Sequence, residues 1–269
     1  MTAGAAAHRL PTVIPVVPVL LVLLTAGCGS SSSGSGMSTT APSVDPAATE
    51  LTVFAAASLT ESFTELGEDY EKAHPGAEVT FSFAGSQTLV QQVRQGAPAD
   101  VVALADATTG EDLATELSAP PATFAKNRLA IVTEKGNPLG ITTLADLADP
   151  SGKVVLAAPT VPVGKAAAAA LAQAGVTVTP VSQEQDVKAV LQKVRLGEAD
   201  AGIVYLTDVQ AAGDDVSGID LPGVTNSYVI AVVNEAGHPE AAAAFVSFVL
   251  SAAAQAVLSR YGFLGPDAT

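Results

Sequence analysis

The residues of this chain best placed to do chemistry are serine hydroxyls, one tyrosine hydroxyl and backbone amides, gathered where short apolar runs give way to amphipathic stretches. Ala55-Ala56-Ala57-Ser58-Leu59-Thr60-Glu61 ends one such run in small residues, and Ser58 with Glu61 has the spacing of a capping box. Phe83-Ala84-Gly85-Ser86-Gln87-Thr88 repeats the arrangement, with Ser at the head of an amphipathic segment. Thr160-Val161-Pro162-Val163-Gly164-Lys165 precedes an Ala-rich segment, where Gly164 permits close backbone approach. Gln185-Asp186-Val187-Lys188 heads a fourth segment, running through Leu191 and Val194. A helix N-terminus carries unpaired N–H groups and a partial positive charge, so each junction can hold an anion. Any one of them is a common cap. Two with Ser and two with exposed backbone amides in one chain point to capture of a small anion by neutral donors. Tyr205, ending Gly202-Ile203-Val204-Tyr205, is either a core residue with a satisfied hydroxyl or a donor completing a pocket at the carboxyl ends of strands.

Other chemistries fare worse. A serine hydrolase needs a base beside its nucleophile, but Gly-x-Ser-x-Gly is absent. Of the histidines, His8 lies in the N-terminal signal, and His74 and His238 each precede Pro in loops. Two histidines in the mature chain and a single cysteine do not make metal-ligand spacings, and no Gly-Lys-Ser/Thr phosphate loop occurs. The chain is therefore read as a binder rather than an enzyme, with no cofactor and no directly ligated metal.

The elements that must position these residues follow from the hydropathy pattern. Apolar runs at Leu51 to Ala56, Glu78 to Phe83, Val101 to Leu104, Leu129 to Thr133, Val154 to Ala157, Ala201 to Tyr205 and Tyr228 to Val233 predict strands, with helices between them. This is an α/β pattern. In the first helix Phe63, Leu66, Tyr70 and Ala73 share a face, and His74-Pro75-Gly76 stops it. An internal echo links Arg94-Gln95-Gly96 before Ala99-Asp100-Val101 to Arg195-Leu196-Gly197 before Ala199-Asp200-Ala201, as two similarly built lobes would. With 269 residues, 48% apolar and only 4% aromatic, the chain packs through small residues and favours a small ligand.

The first 27 residues read as a signal peptide. Arg9 precedes the apolar run from Pro11 to Leu24, which is too short and Pro-rich to span a bilayer, and small residues follow at Ala26 and Gly27. Cys28, the single cysteine, comes next and opens a Gly/Ser/Thr/Pro-rich linker over 28–49. Leu24-Thr25-Ala26-Gly27-Cys28 resembles a bacterial lipobox, departing from it at Thr25, and implies acylation of Cys28 and anchoring at the extracytoplasmic face of the cell membrane. Without residues 1–27 the chain keeps 11 basic and 27 acidic side chains, a net charge of −16 that repels nucleic acid. Screening beyond about 8 Å at physiological salt leaves a local site of neutral donors free to bind an anion.

Val53-Phe54-Ala55-Ala56-Ala57-Ser58-Leu59-Thr60, Phe83-Ala84-Gly85-Ser86, Gly96-Ala97-Pro98-Ala99-Asp100-Val101 and Gly197-Glu198-Ala199-Asp200-Ala201-Gly202-Ile203-Val204-Tyr205 together resemble the molybdate-binding proteins of ABC transporters, over 51–264. The resemblance implies a type II periplasmic-binding-protein fold of two lobes, joined by a two-strand hinge, with the ligand cleft between them. On this reading lobe one is expected at 50–128 plus 226–269 and lobe two at 129–225, with crossings near Arg128 and Ser227. The resemblance implies that Ser58, Ser86, Val163, Val187 and Tyr205 hold the oxyanion, and that a monomer delivers it to a membrane permease and ATPase. The sequence departs from the family at Gly85, Gln87 and Val163, where Ser, Ser and Ala are frequent. Molybdate and tungstate are fully deprotonated at neutral pH, so a donor-only site suits them. Phosphate retains a proton and favours a site with a carboxylate acceptor; sulfate carries none, and only cavity size would reject it. Sulfate and phosphate remain the alternatives, with Asp186 the acid that bears on them; its carboxylate is expected to point away and cap a helix.

Overall fold

The computed structural model describes residues 50–149 and 151–268; the signal, Cys28 and the linker lie outside them. One eight-stranded sheet runs in the order β2-β1-β3-β8-β4-β7-β5-β6. Its strands are β1 (Glu50–Ala56), β2 (Glu78–Ala84), β3 (Val101–Leu104), β4 (Ala122–Glu134), β5 (Val154–Ala157), β6 (Ser182–Glu184), β7 (Ala201–Tyr205) and β8 (Val216–Val232). The helices are α1 (Thr60–Ala73), α2 (Ser86–Arg94), α3 (Ala107–Asp112), α4 (Pro162–Gln173), α5 (Val187–Arg195), α6 (Leu206–Ala212), α7 (Pro239–Val249) and α8 (Ala252–Arg260).

The sheet is built twice over. At one end β2, β1 and β3 run parallel, and β3 pairs antiparallel with the last residues of β8, Val101 opposite Val232 and Leu104 opposite Val229. At the other, β6, β5 and β7 run parallel, and β7 pairs antiparallel with the last part of β4, Tyr205 opposite Leu129. The long strands β4 and β8 pair with each other throughout and carry the chain from one half to the other, with register shifts between Thr123 and Ala125 and between Arg128 and Ala130. Two lobes bridged by two strands result. Helices cover both faces, which is why all four residues of β3 and all five of β7 are buried.

The parallel strands begin and end close to where the apolar runs place them; β4 and β8 are far longer than expected, and β6 was not anticipated. The bridging stretches carry Lys126, Asn127 and Arg128 in β4 and Asp220, Pro222, Gly223 and Asn226 in β8. Such residues read as turns because only cross-strand pairing, not burial of an apolar face, holds them extended. The three residues of β6 are half-buried or exposed and show no hydrophobic period. On α1, Phe63, Leu66 and Tyr70 are buried as the spacing requires, with Phe63 against Phe81 and Phe124 and Tyr70 against Phe245; Ala73 is exposed, because it falls in the last turn beyond this cluster. The echoed Gly96 and Gly197 follow α2 and α5 at φ 81° and 70°. The two aspartates of the echo do the same work: Asp100 accepts the Thr52 amide at 2.8 Å, and Asp200 the Lys153 amide at 2.6 Å.

Candidate functional site

Six parallel strands, three from each lobe, point their carboxyl ends at a common cavity of about 10 Å³. That is far smaller than the roughly 300–1,000 Å³ of drug-sized sites. Ser58, Ser86, Val163, Val187 and Tyr205 all line it, with Ala56, Ala84 and Ala105 supplying walls of small residues. His74 and His238 do not.

The serines arrive differently. Ser86 is the first residue of α2, as expected, and is 1% exposed. Ser58 is not a helix cap: it lies in a short 3-10 turn (Ala57–Leu59), and α1 starts at Thr60 behind Leu59 without a side-chain cap. The expected capping box fails because both partners are engaged elsewhere. Ser58 Oγ lies 2.8 Å from the Tyr228 hydroxyl, and Glu61 pairs with Lys188 at 2.8 Å. Tyr205 ends β7 and is 1% exposed, so it is core and cavity wall at once.

Three hydroxyl oxygens are thus contacted from behind. Ser86 Oγ accepts the Ala105 amide at 3.0 Å, and the Tyr205 hydroxyl accepts from Asn226 Nδ2 at 2.8 Å. Burial raises the pKa of both Tyr205 and Tyr228 above the usual phenol value, so both phenols keep their protons at neutral pH. Val163 and Val187 occupy the first turns of α4 and α5, where backbone amides have no intrahelical acceptor. Pro162 opens α4, and Gly164 lets it approach β5: a Cβ there would stand 2.1 Å from the Ala158 carbonyl. Asp186, although part of the cavity lining, spends its carboxylate capping α5, where Oδ1 accepts the Ala189 amide at 2.9 Å.

Behind the site lies a charged cluster that the sequence did not reveal. Lys188 pairs with Glu61 of α1 at 2.8 Å and with Asp208 of α6 at 3.1 Å, while Asp208 accepts the Tyr205 amide at 3.3 Å. Burial pushes the Asp208 pKa up to about 6 against the opposing attraction of Lys188. For Lys188 burial works the other way, and the Asp208 and Glu61 charges overcome it to raise the pKa. On the other side of the cleft Lys165 donates to Thr109 Oγ1 at 3.0 Å and lies 3.6 Å from Asp106, again joining the lobes. At the rim the departures at Gly85 and Gln87 answer each other. A Cβ on residue 85 would meet the Gln185 carbonyl at 2.3 Å, and Gln87 Nε2 donates to that carbonyl at 2.7 Å.

Two lobes joined by crossing strands, with a small cleft at the carboxyl ends of parallel strands from both, define a solute-binding protein of the type II periplasmic class. The chain belongs to the family of bacterial extracellular solute-binding proteins, which matches residues 51–264. It is 40% identical over 256 residues to the molybdate-binding protein ModA of Mycobacterium tuberculosis, covering 93% of this chain and 97% of that one. Its fold is similar to that of the Azotobacter vinelandii periplasmic molybdate-binding protein, with TM-score 0.72 at 21% identity over 81% of this chain and 100% of the other. The sulfate-binding protein SubI of M. tuberculosis has TM-score 0.73 at 20% identity, over 81% and 88%.

Proposed function

We propose that this protein captures molybdate, or its congener tungstate, outside the cytoplasm and presents it to the permease and ATPase of an ABC transporter. Ser58, Ser86 and Tyr205 hydroxyls and the Val163 and Val187 amides are the donors. The observation that carries the reading is the wiring of the cavity: Ser86 and Tyr205 already accept hydrogen bonds at their oxygens, and the one carboxylate in the wall is occupied by a helix N-terminus. Such a cavity is richer in donors than in free acceptors. It suits an oxyanion with no proton of its own and disfavours hydrogen phosphate. The 40% identity to a mycobacterial molybdate-binding protein points the same way.

The lobes are assigned to 50–128 plus 226–269 and to 129–225, supported by the register shift after Arg128 and by the pairing of Arg128 with Thr225. Acylation of Cys28 would anchor a monomer to the outer face of the membrane while the linker gives the binding domain reach. Calorimetric titration with molybdate, tungstate, sulfate and phosphate tests the ligand. Tight binding of the first two and silence from the others is the expected result; preferential binding of phosphate would refute the donor-only site, and preferential binding of sulfate would shift the assignment to a smaller anion.

A further inference from the structure

We propose that Asn127 and Asn226, register partners where β4 and β8 cross, are positioning residues that hold the Ser58 and Tyr205 hydroxyls as donors to the bound oxyanion. The inference rests on the reading of the cavity given above. Neither asparagine lines the cavity. Each acts through a tyrosine.

The orientation of each asparagine amide follows from which of its neighbours can only accept or only donate. Asn226 Nδ2 lies 2.5 Å from the Ala105 carbonyl oxygen and 2.8 Å from the Tyr205 hydroxyl. A carbonyl cannot donate, so the group facing it is the NH2, and its other hydrogen goes to the Tyr205 oxygen. Tyr205 has one proton, which must leave along another direction, and Tyr205 lines the cavity.

Asn127 is buried, and its Oδ1 accepts the Arg128 amide at 3.0 Å, which fixes its NH2 on the opposite side. That NH2 donates to Thr207 Oγ1 at 2.8 Å and reaches the Tyr228 hydroxyl at 3.4 Å. With Tyr228 accepting there, its proton is free to go to Ser58 Oγ at 2.8 Å, the arrangement that leaves the Ser58 proton for the ligand. Ser86 reaches the same state through the Ala105 amide, and the carbonyl of that same residue is held by Asn226. One pair of amides at the crossing therefore orients donors on both lobes.

The test is a pair of double-mutant cycles on the full chain, with molybdate affinity read by calorimetry and the thermal midpoint of the unliganded protein read alongside. Asn226→Ala is combined with Tyr205→Phe, and Asn127→Ala with Ser58→Ala. Each asparagine variant should weaken molybdate binding by about tenfold, a sizeable part of a hydrogen bond to a charged acceptor. In the background lacking its hydroxyl, the same change should cost less than about twofold, because two residues acting through one contact are not additive. Equal losses in both backgrounds would overturn the positioning role while leaving the site intact. A wild-type protein that binds no molybdate would overturn the site itself. Should buried Asn127 be needed for folding, the half-buried Asn226 cycle decides alone.

Discussion

Replacing Ser86 by alanine separates two roles that one hydroxyl fills in this structure. In the proposed site its proton is the ligand donor, while its oxygen accepts the Ala105 amide at 3.0 Å, at a position 1% exposed. Loss of a hydrogen bond to a charged acceptor costs about 1.5–3 kcal/mol, which is roughly a 10- to 150-fold weaker dissociation constant. The orphaned Ala105 amide costs about 1–3 kcal/mol more, but it does so with or without ligand and so lowers stability rather than affinity. For a domain of this size that is roughly 2–12 °C in the unliganded midpoint. Tyr205→Phe is the control: it removes a proposed donor of the same kind but orphans no backbone group, because Asn226 keeps the Ala105 carbonyl. Calorimetry with molybdate and thermal unfolding without it should therefore find similar affinity losses in the two variants and a clearly lower midpoint in Ser86→Ala. A destabilised Ser86→Ala protein with undiminished affinity would refute the reasoning, since the serine would then be only a structural acceptor.

Gly85→Ser restores a residue frequent in the family but places a Cβ 2.3 Å from the Gln185 carbonyl of the other lobe. Closure should suffer by about 1–3 kcal/mol, seen as a several-fold to hundredfold weaker affinity with an unchanged unliganded midpoint; equal affinity would mean that the rim closes in another way. Asp208 has its pKa raised to about 6 by burial, so it takes up a proton on folding. Its contribution to stability is present below pH about 4 and is lost as pH rises through about 6. Asp208→Asn should flatten that part of the stability profile measured by denaturant unfolding at constant salt, and an unaltered slope would place the titration on another group.

Much of the proposed site is legible in the sequence because its signals are short-range. A strand that ends in small residues and turns into a helix leaves unpaired amides wherever it occurs, and Ser86, Val163 and Val187 sit at such turns in the chain itself. Alternation of apolar runs with amphipathic segments located the parallel strands for the same reason. Ser58 shows the limit. Its spacing to Glu61 has the local form of a cap, yet its partner is Tyr228, 170 residues away, and Glu61 turns to Lys188, 127 residues away.

The lengths of β4 and β8 came only with the folded sheet, since Lys126, Asn127, Arg128 and Asn226 are extended by pairing across the crossing and by nothing in their own hydropathy. The direction in which each hydroxyl points its proton likewise came from tertiary contacts. A serine or tyrosine is donor and acceptor alike until a neighbour engages its oxygen, and those neighbours, Asn127, Asn226 and the Ala105 amide, meet the hydroxyls only when residues distant in sequence come together in the fold.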